Sequence, residues 1–78
     1  MRIETSLTKY TNSIKEALDA AKKSARMGTM EQDYYLGMLT GIMVAAGNDG
    51  GVTMEQYDVL ATKASEARYE LITAFFEV

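Results

Sequence analysis

The chain contains no cysteine and no histidine. The first absence excludes disulfides and thiolate chemistry. The second removes the commonest metal ligand and general base, so zinc and thiol mechanisms have no residues to work with. No serine stands in a nucleophile-elbow context, and no nucleotide-binding glycine pattern follows a strand-like run. An apolar leader is missing too: the stretch from Met1 to Ser6 has no signal-peptide core, which sets the expectation of a cytoplasmic protein. The longest uncharged stretch, 34–48, would span only about 22 Å as a helix, short for a bilayer. It is interrupted by Gly37, Thr40, Gly41 and Gly47, so it reads as a buried central helix and no membrane contact is expected.

What is present is helical punctuation. The tetrapeptide Thr-Met-Glu-Gln occurs at 29–32 and again at 53–56, each time ahead of an apolar segment. Both copies fit the capping box, in which the Thr hydroxyl accepts from the backbone N–H three residues on and the Gln side chain reaches back to the Thr N–H. Extending the comparison shows no duplication, because Asp33-Tyr34-Tyr35 stands against Tyr57-Asp58-Val59. Only the second copy has the apolar staple, with Val52 ahead of the Thr and Tyr57 at the fourth helical position.

These starts divide the 78 residues into three helical segments, expected near 3–27, 30–46 and 54–77. The fold class expected is an all-α three-helix bundle in one domain, with a shorter apolar central helix between two long ones and antiparallel neighbours. In the first segment Ile3, Leu7, Tyr10, Ile14, Ala17 and Ala21 form a heptad seam, bulky early and small late, ending at Gly28 as a left-handed stop. A capping pattern at Ser13 to Glu16 offers an alternative, later start. In the third segment Tyr57, Leu60, Ala64, Ala67, Leu71, Ala74 and Val78 make a second seam. In the second, Gly37, Gly41 and Ala45 recur every fourth residue, a spacing that permits close backbone approach and is expected to serve packing within the bundle, or else self-association. Two interior glycines cost about 1 kcal/mol each relative to alanine, so something must need the space. Tyr10, Tyr35 and Tyr57 are expected in the core with Met38 and Met43 as gap fillers, and Tyr34 and Tyr69 on the surface.

The long outer helices, about 36 Å each against about 26 Å for the middle one, are expected to overhang. The overhangs carry Ile3, Leu7 and Tyr10 at one end and Leu71, Ile72, Phe75, Phe76 and Val78 at the other, an apolar pair of ends that predicts a homodimer or small homo-oligomer.

Charge is divided along the chain. Residues 1–30 hold six basic groups against three acids, a balance of +3, and residues 31–78 hold two basic groups against eight acids, a balance of -6. Part of this is ordinary helix-terminus electrostatics. The remainder, Glu66, Glu70 and Glu77 late in the third helix, makes an acidic face, and Asp58, Glu66, Tyr69 and Glu70 on that helix, together with Tyr34, are the expected binding surface for a protein partner. The alternative is a nucleic-acid backbone tracked by Lys15, Lys22, Lys23 and Arg26 on the first helix. A third reading is a nucleotide-type small ligand held between oligomerised helix ends.

The loop Asn48-Asp49-Gly50-Gly51-Val52-Thr53 resembles part of an EF-hand calcium loop at Asp49, Gly50 and Val52. Register from Gly50 puts Ala45, Gly47 and Gln56 at ligand positions, so no metal and no cofactor is expected and the loop reads as a glycine-rich turn into a capped helix. In size, acidity and lack of catalytic residue types the chain resembles small helical phage proteins that inhibit host enzymes, such as anti-CRISPR proteins. That resemblance of class implies a non-enzymatic inhibitor or adaptor acting by surface contact.

Overall fold

The computed structural model describes residues 5–28 and 31–77, apart from the side chains of 75–77. Three helices make up the fold: α1 Ser6–Arg26, α2 Gln32–Gly47 and α3 Met54–Glu77. They pack pairwise, each against the other two. Side-chain bonds fix their directions. Tyr10 near the start of α1 reaches Asp49 just beyond α2, and Ser24 near the end of α1 meets Tyr35 in the first turn of α2 at 2.8 Å, so α1 and α2 are antiparallel. Lys22 and Glu70 meet near the ends of α1 and α3, which therefore run parallel.

Each helix boundary has a local cause. α1 begins at Ser6 because Thr5, in extended conformation, accepts a 3.1 Å bond from the Thr8 N–H. The later start is not used, since Ser13 is mid-helix with its hydroxyl donating to the Lys9 carbonyl at 3.0 Å; residue 3, near which the other start was expected, lies outside the described residues. At the other end Gly28 takes φ +72°, a left-handed conformation that glycine adopts without a side-chain penalty. α3 opens on a complete capping box: the Gln56 N–H donates to Thr53 Oγ1 at 3.1 Å and the Thr53 N–H to Gln56 Oε1 at 2.9 Å.

The first copy of the motif behaves differently. Thr29 and Met30 lie outside the described residues, and the first helical residue is Gln32, where a capping box needs its Gln at the third helical position. The N-cap is Glu31, whose side chain makes no capping bond.

Among the described residues the core is a thin column of eleven buried apolar side chains, six of them alanines. Tyr10, Ile14, Ala17, Ala21 and Ala25 come from α1, and Leu60, Ala64, Ala67 and Leu71 from α3. Leu39 and Ala46 are the α2 contribution. The stretches of the two heptad seams from Tyr10 to Ala21 and from Leu60 to Leu71 thus face inward.

Two expectations about packing are corrected. α2 is not enclosed on several sides, since Tyr34, Met38 and Val44 are exposed along it. A helix with only two neighbours can bury one side, however apolar the rest of its circumference. Nor do all the residues expected on wet overhangs lie there: among the described ones Tyr10 and Leu71 are buried in the chain's own core and Leu7 packs against it, while Ile72 is exposed. The loop after α2 reaches Tyr10 through Asp49. Tyr57 also departs from its expected place, lying half-exposed with its ring 3.4 Å from the position a Gly47 Cβ would take.

Candidate functional site

The loop that resembled a calcium site is a structural clasp. Asp49 Oδ1 accepts from the Gly51 N–H at 2.8 Å, and Oδ2 accepts from the Tyr10 hydroxyl at 2.9 Å. The Gly51 amide, then the Tyr10 hydroxyl, hold the Asp49 carboxyl below its ordinary range, with smaller help from Ser6 and Lys9 and against partial desolvation. The same bond to Asp49, then burial, pushes the Tyr10 phenol up. This carboxylate is occupied by the protein itself, tying the α2–α3 loop to the start of α1. Among the described residues no group of three or more acidic side chains is placed to share a metal ion.

The acidic residues singled out from the sequence stand on the outer side of α3. Leu60, Ala64, Ala67 and Leu71 define the inward direction, and at about 100° per residue Asp58, Glu66, Tyr69 and Glu70 fall on the opposite arc. All four are exposed, Tyr69 to 73%. Glu70 lies at the edge of this arc and receives Lys22 of α1 at 3.5 Å, an ion pair on the surface. Among the described residues Asp58 and Glu66 have no ion-pair partner. Tyr69, Glu70 and Lys22, with Thr73 and Ala74, border a shallow open depression of about 200 Å³.

Tyr34 does not join this group. It belongs to α2, and its ring packs edge-on against Tyr35 with centroids 5.1 Å apart. The basic residues Lys15, Lys23 and Arg26 are exposed on α1, while Lys22 is drawn towards Glu70, so the stripe of cations borders the acidic face along the α1–α3 seam. Of the residues expected at helix ends, Tyr10 and Leu71 are core, Leu7 is partly buried and Ile72 is exposed; Ile3 and the side chains of Phe75 and Phe76 lie outside the described residues.

The feature the sequence misassigned is the outer side of α2. Gly37, Gly41 and Ala45 are exposed, and a Cβ built on either glycine meets no atom within 4 Å. Their spacing was legible, but the side they face was not, because α2 is apolar on both. A second shallow depression, about 300 Å³, lies where α2 gives way to α3 and is bordered by Ala46, Gly47, Val52, Thr53, Met54 and Tyr57. No helix among the described residues is long and apolar enough to cross a membrane.

These elements define the chain as an all-α three-helix bundle whose distinctive chemistry is on its outer surfaces. Comparison with known proteins gives no match to a protein-family model, to a curated protein or to a solved structure.

Proposed function

We propose that the chain is a non-enzymatic protein-interaction module, an inhibitor or adaptor of the small phage type, that engages a basic site on a partner protein through the outer face of α3. The observation that carries this reading is Tyr69, 73% exposed on the same arc as the unpaired carboxylates of Asp58 and Glu66. A tyrosine on a helix offers a large, stiff contact area with a polar tip, the kind of side chain on which binding energy concentrates. The flanking carboxylates raise the encounter rate with a cationic surface and select against acidic ones. Lys22 is engaged by Glu70, so the α1 cations support a nucleic-acid reading less well.

The test is capture of partners from lysate on the immobilised chain, identified by mass spectrometry and repeated with Tyr69→Ala and with Asp58→Lys/Glu66→Lys. All three positions are exposed, so the variants fold. For a partner so captured, Tyr69→Ala weakens binding by about 30-fold or more, the scale of a hot-spot tyrosine. A partner list unchanged by both variants, or binding that instead requires Lys15, Lys22, Lys23 and Arg26, overturns the proposal.

A further inference from the structure

A second surface lies apart from the acidic one. On the outer side of α2, Gly37, Gly41 and Ala45 form a shallow groove along the helix, and Tyr34 and Met38 rise on one flank with Val44 on the other. None of the described residues fills the groove: beyond the glycines' own helix, the space a methyl group would take at Gly37 or Gly41 meets none of their atoms within 4 Å. The glycines therefore weaken the helix without serving the packing of a single chain. Tyr34, Val44 and Met38 are exposed to 60%, 58% and 36%.

We infer that this face is where two copies of the chain associate, α2 against α2. Charge decides the occupant. In a two-fold contact each surface meets itself, so a charged face opposes its own sign. The chain carries a net charge of -3, and the outer faces of α1 and α3 bear lysines, arginines and carboxylates. Between Asp33 and Asp49 α2 itself carries no charged residue; the charges that border the face are Asp33 at the head of the groove and Arg68 of α3, which donates to Thr40 at 3.4 Å along one edge, so α2 is the helix on which two acidic chains meet with the fewest opposing like charges. Shape agrees with charge, because groove and flanks lie on one face: the Val44 and Met38 side chains of one copy can enter the glycine groove of the other, the close approach that small residues permit.

Area sets the strength. With those exposures the face offers roughly 400–500 Å² per copy, comparable to the largest apolar patch on an ordinary monomer. It falls short of the roughly 800 Å² per partner of a standard stable interface, so the association is weak and reversible. α2 and the outer arc of α3 are different sides of the bundle, so a dimer formed this way leaves Tyr69 of each copy free.

Sedimentation velocity over about 10 µM to 1 mM tests the inference, a span matched to micromolar-to-millimolar dissociation constants. The weight-average mass rises from 8.6 kDa towards twice that value as concentration increases. Gly41→Gln, which fills the groove with a good helix former, weakens the association by at least about tenfold while raising the thermal midpoint of the dilute chain. Tyr69→Ala, on the other face and without a change of charge, leaves the mass isotherm unchanged. A chain that stays at single-chain mass across the range overturns the inference and leaves the face to a different protein. Gly41→Gln associating as strongly as the unmodified chain overturns it as well, because the contact then lies elsewhere.

Discussion

Tyr10 and Asp49 are 39 residues apart in the chain and 2.9 Å apart in space, joined by a hydrogen bond from the phenol to the carboxylate. Tyr10 sits in the α1 seam, where its ring fills core space, and its hydroxyl emerges at the end of α2 where the loop turns back. One side chain thus serves the core and the loop at once, as amphipathic rings at a core edge do.

The clasp makes stability depend on pH. The Asp49 carboxyl lies below its ordinary 3.8 in the folded chain, so its contribution is fully present above that value and is lost as pH falls through the lower folded value. Tyr10 is raised above its ordinary 10.0, so its contribution is present below pH 10 and fades as pH rises further. Thermal melts from pH 7 to pH 3 should show a declining midpoint below about pH 4. Asp49→Asn should start lower at pH 7 and decline less, while Tyr10→Phe should lower the neutral midpoint and remove much of the loss at high pH.

The two Thr-Met-Glu-Gln copies should differ in the worth of their caps. Thr53→Ala removes half of a reciprocal box and should cost about 1 kcal/mol in denaturant unfolding. At the start of α2 the opposite substitution is informative: Glu31 caps nothing, so Glu31→Ser should stabilise the chain by about 0.5–1 kcal/mol. No gain there would mean that α2 starts at a different residue in solution.

Glycines 28 and 41 should respond in opposite directions to alanine. Gly28 holds φ +72°, where a Cβ is strained, and Gly28→Ala should destabilise by about 1–2 kcal/mol. Gly41 is helical with open space around its Cβ position, so Gly41→Ala should stabilise the dilute chain by up to about 1 kcal/mol. Chemical denaturation at micromolar concentration measures both without interference from self-association.

Much of the fold was legible because its signals are local. The heptad seams of α1 and α3 name the residues that are buried, from Tyr10 to Ala21 and from Leu60 to Leu71, since a 3.6-residue period identifies the inward side of an amphipathic helix directly. Val52, Thr53, Gln56 and Tyr57 mark the α3 start within one turn of chain. The exposed position of Asp58, Glu66, Tyr69 and Glu70 followed from the same periodicity. Where the period is absent, inference failed. α2 is apolar all round, so its sequence could not say that Leu39 faces in while Gly37 and Gly41 face out.

By itself, then, the sequence determined three helices, the inward faces of two of them and the chemistry of the acidic arc, because each depends on residues within a few turns of one another. Tertiary structure alone decided which side of α2 meets water, that Tyr10 and Leu71 are buried within one chain, and that Asp49 belongs to Tyr10 and the loop. Each of these depends on which distant surfaces meet, and with a short α2 between two long parallel helices there was only enough neighbouring surface to cover one of its sides.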